Sequence, residues 1–239
     1  MINLFTKSQQ AYGEFNNGEI IENKPIGFPQ DRGDLKPYSN IFYWAHASAK
    51  KDSIIGLHPH KGFEIMSIVL EGEIIHYDTL LKKWITLKKG DVQLIQAGGG
   101  ISHAEAMKKD ASIFQIWFNP DLRKTLQQEA KYIDVQHSEL PKNGNKTTVV
   151  GNKSPIQLEA EGIKIDFIEF DKESFELHFE DELYYSIYII EGEVKNESIH
   201  ASTDDFFIIE NESSVTFDVI SKGRLLCIKS PTTTSYPVY

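Results

Sequence analysis

The chain has eight histidines in 239 residues, and three of them stand in patterns that suit a metal ion. The stretch His58-Pro59-His60-Lys61-Gly62-Phe63-Glu64 carries two. The stretch Ile101-Ser102-His103-Ala104-Glu105, after the bend Ala97-Gly98-Gly99-Gly100, carries the third with a carboxylate. In a strand, residues i and i+2 point to one face. His58 and His60 therefore aim two imidazoles at one point, and His103 and Glu105 aim a third imidazole and a carboxylate. Brought together, three neutral nitrogens and one anionic oxygen make a donor set for a divalent transition metal. Glu64 has the same strand parity as His58 and His60, so alternation leaves it open as a rival carboxylate.

The elements that must position these residues are strands. Asn40 to His46 is rich in β-formers and reads as a core strand, with Trp44 and His46 on one face as a packed Trp and a satisfied His. Strands follow at 63–70, 74–78, 84–87, 92–96 and 111–119, separated by Glu71-Gly72-Glu73, Lys88-Lys89-Gly90-Asp91 and the glycine bend. Short strands at this spacing predict a sandwich or small barrel. Residues 1–40, broken by glycines and prolines, predict short edge strands and loops. Asn119-Pro120-Asp121 predicts a helix start with Asn119 as cap, and the helix formers of 122–131 a connecting helix. The polar stretch 137–155 predicts a crossing between domains.

Residues 156–230 are strand-rich again and repeat the first half. Ile68-Val69-Leu70-Glu71-Gly72-Glu73 is echoed by Tyr188-Ile189-Ile190-Glu191-Gly192-Glu193, and Gly90 to Ile95 by Asp204 to Ile209. In the second copy His58 and His60 map to His178 and Glu180, whereas His103 and Glu105 map to Phe217 and Val219. Half the donor set is replaced by apolar residues, so the metal site is expected in the N-terminal copy alone.

Composition narrows the partners. With 25 basic against 35 acidic residues the formal charge is −10. Phosphate backbones and anionic lipid repel such a surface, which argues against nucleic acid and membrane as partners. The N-terminus has no basic region followed by an apolar run, and no apolar stretch is long enough to span a bilayer, so a cytoplasmic location is expected. The single cysteine, Cys227, sits in an apolar run and reads as a buried small hydrophobe.

The motifs together go further than any one of them. His58-Pro-His-Lys-Gly-Phe-Glu64, Leu70-Glu-Gly-Glu73, Gly90-Asp-Val-Gln93, Ala97-Gly-Gly-Gly-Ile-Ser-His-Ala-Glu105 and Gln115-Ile-Trp-Phe-Asn119 occur in order at cupin spacing. This text resembles the pirin family, densely over residues 56–119. Lys61 and Gly99 stand where pirins usually carry Arg. The resemblance implies an all-β bicupin, two tandem jelly-roll-like cupin barrels with a short connecting helix. Residues 1–136 would hold the metal, and residues 137–239 would form a cupin-like domain without it. It implies His58, His60, His103 and Glu105 as ligands, with Glu64 in a supporting or proton-accepting role beside Glu105. Phe63, His76, Gln115 and Trp117 are expected to line the pocket. Fe(II) is the first expectation for the ion, and Mn, Ni, Co, Cu or Zn also suit the donors. The implied activity resembles that of a quercetin 2,3-dioxygenase acting on a flavonol-type or other enediol or phenolic substrate. The alternative is a non-catalytic metal- or redox-sensing regulator that binds a protein partner.

Overall fold

A computed structural model describes residues 1–238. Strands account for 56% of the residues and helix for 4%, so the protein is all-β. The first strands are β1 (Ile2–Phe5), β2 (Ala11–Phe15), β3 (Ile20–Ile26), β4 (Ile41–Ala49) and β5 (Ser53–His60). Next come β6 (Glu64–Glu71), β7 (Glu73–Asp78), β8 (Trp84–Lys88), β9 (Val92–Gln96), β10 (Ile101–Met107) and β11 (Ser112–Phe118). A one-turn helix α1 (Leu122–Thr125) leads to β12 (Lys131–Val135), β13 (Lys142–Asn143), β14 (Lys146–Val150) and β15 (Lys164–Phe170). The chain ends with β16 (Ser174–His178), β17 (Leu183–Lys195), β18 (His200–Ser202), β19 (Phe206–Ile209) and β20 (Ser214–Pro231).

The chain divides into two compact units. One comprises Gln10–Glu139 and Leu158–Ala160 with the tail from Tyr236; the other comprises Met1–Gln9, Leu140–Gln157 and Glu161–Ser235. The main boundary at Glu139/Leu140 lies three residues beyond the expected 136/137 division, and short pieces from each end of the chain cross it. The stretch 137–155 is not a plain crossing, because β14 pairs in register with β15.

The N-terminal unit has a four-stranded sheet, β5-β10-β7-β8, and a seven-stranded one, β12-β9-β6-β11-β4-β3-β2. Hydrophobic residues such as Ile20, Ala47, Val69, Ile74, Leu87, Met107 and Ile113 cluster in its core. Trp44 is fully buried and meets Phe114 edge-on at 5.5 Å; His46 also packs on Phe114. That is the packed pair expected from the sequence.

In the C-terminal unit the other strands form one nine-stranded sheet, in which β1 pairs with β19. Its core is apolar: Tyr185, Ile187, Phe207, Phe217, Leu225 and Cys227 are buried together, with Val219 packed against them. Phe217 and Val219, the counterparts of His103 and Glu105, thus face hydrocarbon. His178 is exposed, 3.6 Å from Glu176, and Glu180 pairs with Lys229 at 2.9 Å. Burial pushes the Cys227 thiol up to about 12.

The expected helix over 122–131 is cut to one turn. Asp121, not Asn119, caps it, accepting from Arg123 N. By Lys131 the backbone is extended and pairs with Gln96 of β9. From Lys131 to Val135 the β9 edge supplies ladder hydrogen bonds, and a short run of helix formers without tertiary support gains too little to extend past one turn.

Candidate metal centre

The four-stranded sheet sets the donors in rows. Residues directly opposite in an antiparallel pair share a face. His103 of β10 lies opposite His58 of β5 on one side and Asp78 of β7 on the other, and Glu105 lies opposite His76. Ile101 is opposite His60. Three adjacent strands therefore present His58, His60, His103, Glu105, His76 and Asp78 to one interior.

His58, His60 and His103 each bring a ring nitrogen within 4.8 Å of the others. His60 Nε2 and His103 Nε2 are 2.9 Å apart. Two donors at right angles on one metal, each about 2.0–2.1 Å from it, are about 3 Å apart, so this spacing fits a shared cation. His58 Nδ1 lies 2.8 Å from the carbonyl of Gly56, which directs its N–H there and leaves Nε2 with the lone pair. Burial and the neighbouring imidazoles depress His60 and His103 to about 3, so both rings are neutral at ordinary pH. His58 and His60 are half-buried and His103 is fully buried, so the cluster runs inward from the solvent side.

Glu105 is 2% exposed and held from the facing sheet. Its Oε1 accepts from Ser67 Oγ at 3.1 Å and its Oε2 from Gln115 Nε2 at 2.7 Å. Gln115 Oε1 in turn accepts from the Trp117 indole N–H at 3.2 Å, and the Trp117 ring meets the His60 ring edge-on at 4.9 Å. Glu105 groups within 4.8 Å with His103 and with His76, so His103 belongs to two overlapping triads.

Other expected site residues lie elsewhere. Glu64 is 1% exposed, and its carboxylate accepts three hydrogen bonds. Oε1 accepts from Gln96 Nε2 at 2.7 Å and Glu159 N at 2.8 Å, and Oε2 accepts from Ala160 N at 2.8 Å. Its parity was misjudged because β5 and β6 are not one strand. Gly62 between them has φ +84°, and a Cβ there would meet Leu122 Cδ2 at 2.9 Å. After that break, Ser67 points inward and Glu64 points away from Glu105. Phe63 packs on Phe42 at 4.5 Å, one ring removed from Trp117. Gln115 and Trp117 do stand at the site. His76 is more than a pocket wall, since it offers a donor atom beside His103 and Glu105. Its signal in the sequence was the spacing His76-x-Asp78, two polar residues on one strand face. Ser67, a lone hydroxyl in the apolar run 65–70, was also missed. So was Tyr132, whose ring stacks on His76 at 4.9 Å.

The fold is a bicupin. The pirin family model matches residues 24–118, and over that stretch the chain is similar to pirins. A pirin-like protein of Arabidopsis thaliana is 35% identical over 119 residues, 46% of this chain and 36% of the relative. A putative quercetin 2,3-dioxygenase of Zymomonas mobilis is 39% identical over 80 residues, 33% of this chain and 34% of the relative. The chain thus spans about a third of the length of these two relatives. The crystal structure of a bacterial pirin from Escherichia coli in complex with nickel(II) superposes with a TM-score of 0.83 at 21% identity, covering 98% of this chain and 100% of that one. No helix among the described residues is long and apolar enough to cross a membrane.

Proposed function

We propose that the chain is a metal-dependent dioxygenase of the quercetinase type, acting on a flavonol-like or other enediol or phenolic substrate. His58, His60, His103 and Glu105 would hold the ion. The observation that carries this is the convergence of three imidazoles, two with nitrogens 2.9 Å apart, beside a carboxylate fixed by Ser67 and Gln115. The name of the similar Zymomonas mobilis protein supports the reaction class, and the nickel(II) in the similar bacterial pirin supports a transition metal. Fe(II) is our first choice, and the nitrogen-rich donor set also suits Mn, Co, Ni, Cu or Zn.

When bound, the metal supplies Lewis acidity toward a substrate hydroxyl and a redox partner for dioxygen. The protein supplies orientation and a proton acceptor. Trp117 packs on His60 and fixes its ring, while Gln115 ties Trp117 to Glu105. Each Glu105 oxygen receives a single hydrogen bond from the protein, so one lone pair on each remains for a ligand or for the proton of a substrate hydroxyl. The half-buried His58 and His60 mark the side from which a planar phenol would enter.

Metal analysis followed by oxygen-electrode assay with quercetin tests this. The purified chain should carry a transition metal and consume O₂ with the flavonol. His58→Ala should lose O₂ uptake and hold the ion more weakly, and an anaerobic sample should not turn over. Turnover without oxygen, or a chain that binds no transition metal, would sink the proposal.

A further inference from the structure

A second donor cluster lies deeper in the same barrel. His76, His103 and Glu105 each place a donor atom within 4.8 Å of the others, and none of the three is more than 2% exposed. His76 is arranged as metal-ligating histidines are. Its Nε2 lies 2.9 Å from Asp78 Oδ2, so the carboxylate holds the ring proton there and leaves the lone pair on Nδ1. Asp78 is itself anchored, its Oδ1 accepting from the backbone N–H groups of Leu80 at 2.8 Å and Leu81 at 2.6 Å. His76 Nδ1 is then buried with no hydrogen-bond partner, and so is His103 Nδ1. Buried polar atoms of this kind call for an occupant. A water has two protons to offer two imidazole lone pairs and a carboxylate, whereas a cation meets all three acceptors together.

We propose that His76, His103 and Glu105 form an inner cation position that takes a divalent ion such as Co(II), Ni(II) or Zn(II), with one coordination place left for water. Asp78 is its positioning residue, and the stacked Tyr132 ring shields it. The inner position extends the reading above and uses neither His58 nor His60. It shares His103 and Glu105 with the outer set, and a neutral imidazole has one lone pair. The two positions therefore fill as alternatives, His103 offering Nδ1 to an inner ion and Nε2 to an outer one.

Cobalt(II) is the probe, because its visible absorption reports the ligand field directly. The variant His58→Ala/His60→Ala removes two outer donors and leaves the inner three. It should still bind one Co(II) per chain, more weakly than wild type, with visible absorption bands. Adding His76→Ala should abolish those bands. In the same background Asp78→Asn, which retains a carbonyl for Leu80 and Leu81, should weaken binding about 10–100-fold. Near-UV circular dichroism checks the fold. If the double variant does not fold, His58→Ala alone serves as background, where adding His76→Ala should cost at least about tenfold in Co(II) affinity. A folded variant that takes up no Co(II), or binding indifferent to His76, overturns the inner position. Wild type that binds metal leaves the outer reading standing in either case.

Discussion

Replacing Glu64 by glutamine asks whether this buried carboxylate belongs to the chemistry or to the frame. The wild-type group accepts three hydrogen bonds, from Gln96 Nε2 at 2.7 Å and from the N–H groups of Glu159 and Ala160 at 2.8 Å each. Glutamine can keep the two on its oxygen. Its new NH₂ then faces the Ala160 N–H, a donor against a donor, in a site only 1% exposed at Glu64. A hydrogen bond to a charged group contributes about 1.5–3 kcal/mol, and a stranded buried donor costs about 1–3 kcal/mol. Burial pushes the Glu64 carboxyl up, so removing the charge returns part of that. The expected net loss is about 2–3 kcal/mol, or a melting point lowered by about 4–12 °C. Thermal and urea melts would measure it, alongside metal content and O₂ uptake with quercetin. Metal per folded chain and the pH–rate profile should be unchanged. Loss of metal, or a shifted pH profile with normal stability, would refute the reasoning and return Glu64 to the site.

Further outcomes can be stated briefly. Gln115→Leu frees one Glu105 oxygen and the Trp117 indole N–H; metal affinity should fall about 10–100-fold while the chain stays folded, as isothermal titration would report. Phe217→Ala opens a cavity where Phe217 meets Phe175 at 5.5 Å and Phe207 at 5.7 Å; it should cost about 3–5 kcal/mol in a denaturant melt and leave metal content per folded chain intact. His60 and His103, depressed to about 3, do not take up protons between pH 7 and 5. Metal affinity over that range should therefore fall far less than the roughly 10⁴-fold expected of three imidazoles with an ordinary pKa of about 6.5. The same shift has a sign for the metal-free chain. Below about pH 6.5 the unfolded state binds protons that these two folded rings refuse, so their contribution to stability falls as pH drops toward 3.

Much of this architecture is legible in the sequence because strand alternation is a short-range rule. It holds within β5 and within β10, where His58, His60, His103 and Glu105 were placed on inward faces. It fails across Gly62, where one left-handed residue starts a new strand in another sheet and Glu64 loses its parity. The hydrophobic counterparts Phe217 and Val219 were legible as core because the repeat could be aligned residue by residue. His76 was legible only as a pocket-lining residue, since its role as a donor depends on Glu105 on the neighbouring strand and on the orphaned Nδ1. Tyr132 lies one residue past the expected helix, in a stretch where no strand is expected; the open edge of β9 makes it a strand.

The pairing of Ile2 with Ile209 and of Phe5 with Phe206 has a temporal consequence. During synthesis β1 leaves the ribosome long before β19 exists, so it must wait unpaired while some two hundred residues follow. A contact of such sequence separation closes late. The C-terminal unit thus acquires an edge strand from the opposite end of the polypeptide, and a fragment beginning at Leu140 would expose β19 as an open template for intermolecular association.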